Sequence, residues 1–169
     1  VDNRTGASAM IGAAMVAKAP ADGYTWLFGT GQHTTNPSLV KKMPYDIVDD
    51  FAPVTPLLFT PYFLMLHPAV PARSVKELIV LAKMRPGQLN FGSAGAASTS
   101  FLSGELFKVM AGINMVHVPY KGAGLALADL HGGHIDLMFT SIPSGLPFHR
   151  AGTLRGLGLT SPRRHPSIP

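Results

Sequence analysis

The sequence predicts an α/β fold, two lobes with mostly parallel sheets flanked by helices, on three observations. Apolar runs of strand length alternate with helical segments through most of the 169 residues, the pattern that produces parallel strands covered by helices. Gly (18) and Pro (15) together make 33 residues, enough to cut the chain into short elements. Hydrophobic residues reach 46% while charged residues are only 14%, against about 25% charged in an average soluble domain, so a sizeable core is available.

The elements follow in order. Residues 9–18 read as a helix, ended by Pro20 and the Asp22-Gly23 turn. Tyr24 to Phe28 is an apolar run of the buried-strand type, and it feeds the small polar loop Gly29 to Thr35. Residues 51–58 and 62–67 each have the length and composition of a strand. Ser74 with Glu77 three residues on forms a capping box, opening a helix over 75–83 that Pro86-Gly87 stops. The alternation then becomes regular: strand 89–92, helix 98–111, strand 114–118, helix 123–131, strand 135–139, helix 144–151 and strand 154–159.

Composition excludes several functions. There is no Cys, so disulfides, zinc–thiolate sites and Cys nucleophiles are absent. The net charge is +5, but the basic residues are scattered as singles and pairs such as Lys41-Lys42 and Arg163-Arg164. A nucleic-acid surface gathers them into a stripe with aromatics, so no nucleic-acid partner is expected. The longest apolar stretch, Val54 to Leu66, is interrupted by Pro56, Thr60 and Pro61, short of the roughly 20 residues of a membrane helix. Val1-Asp2-Asn3-Arg4 lacks the order of a secretory leader.

In parallel sheets ligands sit beyond the carboxyl ends of the strands, and three loops there share one character. Thr30, Gly31 and Gln32 follow the Trp26 run. Ser93, Gly95, Ser98 and Thr99 follow the Phe91 strand and open a helix. Thr140 and Ser141 follow the Phe139 strand and open another. All are small, uncharged and rich in hydroxyls. A helix start offers unpaired N–H groups and the positive end of the dipole, which suits a carboxylate. Helix capping is the ordinary role of any one such Ser or Thr; three loops at corresponding strand ends point to a ligand.

Lys121 is a further anion candidate, although a surface charge is its commoner role. Gly122-Ala123-Gly124 is no dinucleotide fingerprint, because Leu127 stands where the third glycine belongs. His131-Gly132-Gly133-His134 straddles a turn and is unsuited to metal. His67 and His165 precede prolines, and His117 alternates with Val116 and Val118. No G-x-S-x-G elbow and no acid–base pair of carboxylates occurs. Neither catalysis, a cofactor nor a metal is expected.

A family likeness rests on Phe51-Ala52-Pro53-Val54, His67-Pro68, Pro86 to Phe91 (PGQLNF), Gly104 to Lys108 (GELFK), His117 to Gly122 (HVPYKG) and Gly132 to Asp136 (GGHID). Asn3-Arg4, Asp22 to Thr25 and Asn36 to Leu39 match as well. In order and spacing the chain resembles the receptors of tripartite tricarboxylate transporters, also called Bug proteins. The resemblance implies a periplasmic, non-catalytic receptor of the type II binding-protein, flytrap-like kind. It would hold a small mono- or dicarboxylate between two lobes and present it to membrane transporter subunits or a sensor.

Further expectations follow from the likeness. Residues 1–61 with 152–169 would form an incomplete first lobe and 62–151 the second, with bending near Thr60-Pro61 and Ala151-Gly152. The family's opening strand and glycine-rich loop would precede Val1, its closing segment would follow Pro169, and the edges left open would favour oligomers. Phe101 stands where histidine is common, Ala97 where glycine is common, Thr140 where an acidic or polar residue is frequent. Thr5 and Ser8-Ala9 replace a usual Pro and Gly-Gly. The alternatives are an effector-sensing domain of a transcriptional regulator and an α/β enzyme acting on a carboxylate.

Overall fold

The computed structural model describes residues 1–4 and 6–168, and the chain divides into two units, residues 1–57 and 58–169. Thr5 lies outside the described residues.

The first unit holds a short 3-10 turn (Ala7–Ala9), α1 (Met10–Ala17) and α2 (Gly31–Leu39). Ala7, Ser8 and Ala9 have φ of 45, 53 and 66°. Left-handed backbone costs a side-chain-bearing residue about 1–2 kcal/mol, and glycine adopts it freely. The usual Gly-Gly implied by the resemblance at positions 8 and 9 therefore fits this turn better than Ser8-Ala9. Asn36, fully buried on α2, helps to hold the turn by donating to the Ser8 carbonyl at 2.9 Å.

Two expected strands do not form here. Residues 24–28 and 51–58 are outside any ladder among the described residues, and Tyr24, Trp26, Phe28, Val54, Leu57 and Leu58 are exposed. An apolar extended run becomes a strand only through a neighbour that takes its backbone hydrogen bonds, and none pairs with either run among the described residues. The loop expected at 29–35 is instead largely the start of α2.

The second unit is one five-stranded sheet. Its strands are β1 (Tyr62–Leu66), β2 (Asn90–Ser93), β3 (Val116–Pro119), β4 (Leu137–Ser141) and β5 (Arg155–Leu159), in the order β3-β2-β4-β1-β5. Helices α3 (Val75–Met84), α4 (Thr99–Ala111), α5 (Ala123–His131) and α6 (Ile142–Arg150) connect them. β2 runs parallel to β3 and β4, whereas β1 runs antiparallel to β4 and β5. The sheet is thus mixed, because β1 enters from the opposite direction.

Within the second unit β5 forms a ladder along β1 from Phe63↔Leu159 to Leu66↔Arg155. At the Ala151-Gly152 step α6 ends in a hydrogen-bonded turn. Gly152 takes φ 70°, its amide bonds His149, and the Thr153 amide bonds Phe148.

Strand alternation divides the core. Leu64, Leu66, Phe91, Leu137 and Phe139 pack with Leu78 and Ala82 of α3 and Phe101 and Phe107 of α4. Phe63, Met65 and Met138 pack on the other face with Ala126, Leu127 and Leu130 of α5 and Ile142 of α6. The capping box on α3 forms with a shift: Ser74 Oγ accepts from the Glu77 amide at 3.2 Å, but Glu77 reaches back to the Arg73 amide (2.7 Å).

Gly156 of β5 lies against the Phe63 ring, which is 1% exposed and has no room to turn away. A methyl group at Gly156 would overlap that ring. Gly156→Ala is expected to destabilise the protein by about 1–3 kcal/mol, as overpacking does. Urea denaturation checks this; a midpoint at or above that of the parent would show the strand can shift away from β1.

Candidate functional site

Sheet direction determines which loops meet. β2, β3 and β4 are parallel, so their carboxyl ends, Ser93, Pro119 and Ser141, lie along one edge. β1 is antiparallel and begins there with Tyr62, which pairs with Ser141. β5 ends there too, and the Tyr62 amide donates to Thr160 Oγ1 at 2.8 Å. One edge of this sheet therefore collects Ser93, Gly95, Ser98, Thr99, Thr140 and Ser141.

Hydrogen bonds from three serines brace the loop between β2 and α4. Ser93 is fully buried; its Oγ accepts from the Gly95 amide (3.2 Å) and lies 3.1 Å from the Gly95 carbonyl. Gly95 has φ 128°, a conformation that suits glycine. Ser98, 3% exposed, donates its hydroxyl to the Gly95 carbonyl at 2.6 Å and caps α4 by accepting from the Phe101 amide at 3.2 Å. Ser100, buried as well, accepts from the Ala94 amide at 3.0 Å and lies 2.9 Å from Ser98 Oγ.

What this network leaves open matters most. The Thr99 and Ser100 amides, the first two of α4, make no hydrogen bond among the described residues. They are orphan donors of a 13-residue helix, with the positive end of its dipole behind them. Thr99 is half-buried and its hydroxyl has no partner among the described residues. The loop offers donors and no charged side chain, so it can accept an anion without a salt bridge.

The other expected residues lie outside this loop. Ser141, half-buried, caps α6 and pairs with Ser144 Oγ at 2.8 Å. Thr140 points to the opposite sheet face, where a Cβ at Gly145 would come within 2.9 Å of its methyl group. It is 2% exposed and its Oγ1 lacks a partner, so Thr140 belongs to the packing beneath α6. Thr30, Gly31 and Gln32 open α2 in the first unit, where the Thr30 amide donates to His33 Nδ1 at 3.0 Å. They form a second, separate helix start. Lys121 is exposed.

Two residues were not expected at the site. His117 of β3 lies between the rings of Phe91 and Phe101 (centroids 4.9 and 4.6 Å), and its Nε2 is 2.7 Å from Ser93 Oγ. Tyr120 donates its amide to the Ser93 carbonyl (3.0 Å) and its hydroxyl to Asp129 (2.7 Å). Burial, followed by the bond to Asp129, pushes the Tyr120 phenol up to about 12. Period-2 alternation puts His117 on one face of its strand, but only the ladder register Phe91↔His117 brings it to Ser93. Two open grooves of about 350 and 340 Å³ lie elsewhere, beside α3 and the 68–73 turn, and include none of these residues.

Burial holds His117 below its ordinary value of 6.5; Glu105 raises it and Lys108 lowers it. The unfolded chain then binds the proton first as pH falls, so stability is full above 6.5 and declines below it until the folded ring also titrates. His117→Phe is expected to flatten that decline between pH 7 and 5, read from urea midpoints. Parallel curves for variant and parent would contradict a burial-depressed imidazole. Ser98→Ala, which removes the α4 cap, is expected to cost about 0.5–2 kcal/mol in the same measurement at pH 7.

Comparison with known proteins places the chain. The model of the tripartite tricarboxylate transporter family receptor matches residues 1–169. A UPF0065 protein from a Pseudomonas species is 36% identical across 100% of this chain and 50% of its own length. Among solved structures, a periplasmic binding protein, BugD, aligns at TM-score 0.87 and 30% identity over 98% of this chain and 55% of that one. A protein of R. palustris with adipate aligns at 0.90 and 42% (96% and 55%), and MatC from Rhodopseudomonas palustris with bound malate at 0.81 and 30% (95% and 55%). The chain spans about half the length of the curated relatives it matches. With the whole chain matched in sequence and the α/β architecture matched in space, this protein belongs to the tripartite tricarboxylate transporter receptor family.

Proposed function

We propose that this chain is part of a periplasmic solute receptor that captures a small mono- or dicarboxylate and passes it to membrane transporter subunits or a sensor, without chemistry of its own. The observation that carries the reading is the start of α4. There a loop braced by Ser93, Ser98 and Ser100 leaves the Thr99 and Ser100 amides free for one carboxylate. Adipate and malate, present in two of the similar solved structures, are the size of ligand such a site takes. No helix among the described residues is long and apolar enough to cross a membrane.

A neutral site of this kind suits a receptor. Backbone donors and hydroxyls favour an anion while avoiding the deep trap of a buried ion pair, so the ligand can leave again. Unpaired helix amides next to a carboxylate contribute through hydrogen bonds to a charged acceptor, roughly 1.5–3 kcal/mol each. The expected ligand role of Thr140 is not part of this proposal, given its packing under α6.

The test is thermal unfolding against adipate, malate, succinate and citrate, with the corresponding amides as controls. A ligand at 100 times its Kd stabilises by about 2.7 kcal/mol, a rise on the order of 5–10 °C for a chain of this size. Thr99→Glu places a carboxylate at the helix start, where it is compatible with the fold and competes with the ligand. It is expected to weaken binding of the active acid at least tenfold in calorimetry. Undiminished affinity in Thr99→Glu would place the ligand elsewhere, and no rise with any acid would refute carboxylate capture by this chain.

A further inference from the structure

We propose that His117 is a positioning residue of the α4 anion loop: through Ser93 it holds the Gly95 turn that aims the first amides of the helix. The inference rests on the proposed carboxylate site, and it assigns a role to a side chain outside the loop itself.

The geometry is specific. His117 Nε2 lies 2.7 Å from Ser93 Oγ, the shortest contact that hydroxyl makes, while Gly95 N and O lie 3.2 and 3.1 Å from it. Gly95 in turn supplies the carbonyl to which the Ser98 amide and hydroxyl donate, at 3.0 and 2.6 Å. Ser98 caps α4. A continuous chain of bonds thus runs from the imidazole through Ser93, Gly95 and Ser98 to the helix start. Phe91 and Phe101 hold the ring on both sides, so its orientation is set by packing, which is what a fixed partner for Ser93 requires.

Protonation would alter that chain. A neutral imidazole can donate to Ser93 Oγ or accept from it, depending on tautomer. The imidazolium only donates, which turns the Ser93 proton toward the Gly95 carbonyl. The charged groups near the ring are Glu105 and Lys108 of α4, 2.9 Å apart in an ion pair, while β2 presents the uncharged Ser93. A carboxylate at the start of α4 would add a negative charge on the Ser93 side and raise the titration midpoint of His117. By linkage, its affinity would rise as pH falls through that midpoint.

Two variants separate positioning from packing. His117→Phe keeps an aromatic ring between Phe91 and Phe101 but removes the bond to Ser93; His117→Gln restores a polar group able to donate or accept. Amide hydrogen exchange is expected to quicken at Gly95 and Ser98 in His117→Phe by roughly tenfold, on the scale of one lost hydrogen bond. The β4 amides should stay unchanged, and His117→Gln should recover much of the protection. Unchanged exchange at Gly95 in a folded His117→Phe would overturn the proposal.

If β4 exchange rises as well, the parent protein decides by NMR. The Gly95 amide shift is expected to titrate with the midpoint of the His117 ring, and a pH-independent Gly95 would overturn the proposal. With adipate bound, the His117 midpoint is expected to move upward; binding without that movement also overturns it. If adipate does not bind at all, the carboxylate reading is at fault, whereas the exchange and titration results without ligand still judge the positioning role.

Discussion

The second unit depends on the burial of β4 on every side. It lies at the centre of the sheet, hydrogen-bonded to β2 in parallel and to β1 in antiparallel fashion. Leu137 and Phe139 enter one core, Met138 and Thr140 face the other way, and all four are buried. A strand closed in this way cannot slip by one residue without exchanging its two faces. The register of β4 therefore sets that of β1 and β2, and with them which strand ends share an edge. The positions of Ser93, Ser141 and Tyr62 follow from this one constraint.

Close approach refines it. Gly92 lies against Ile135 and Tyr120, Gly104 against the Phe91 ring, and Gly156 against Phe63. Each glycine lets a large buried side chain take the space a Cβ would fill, so helix and strand come together at Phe91 and strand meets strand at Phe63. Phe91 then supports His117 from below, with Lys108 Nζ 5.7 Å from the centre of the Phe91 ring. Core packing and the polar loop are consequently one structure: the ring that fills the core beneath α4 also supports the imidazole that reaches Ser93.

The loop itself shows how hydroxyls divide their work. Ser93, Ser98 and Ser100 are buried; Ser93 bonds Gly95 and His117, while Ser98 and Ser100 bond each other and Gly95, Phe101 and Ala94. They shape the site, and the free donors are backbone amides. In a low-dielectric setting a satisfied network of this kind is rigid, and rigidity lowers the ordering cost of holding a small ligand. Thr140 carries the opposite lesson. It precedes Ser141 in sequence, yet pleating turns its side chain away to pack against α6.

Local chemistry in the sequence determined much of this protein. Helix starts at Ser74 and Ser98, the family likeness, and strands expected at 62–67, 89–92, 114–118, 135–139 and 154–159 were legible to within two residues, because caps, glycine stops and apolar periodicity act over a few residues; α6 begins two residues before the expected 144–151. Tertiary structure alone decided the rest. Whether 24–28 becomes a strand depends on a partner for its backbone. Where β5 pairs depends on which strand takes its ladder, and here that strand is β1. His117 joined the site only because pairing with β2 set it opposite Phe91 and within reach of Ser93. Ladders and registers join residues tens of positions apart, and no short-range pattern in the sequence carries that information.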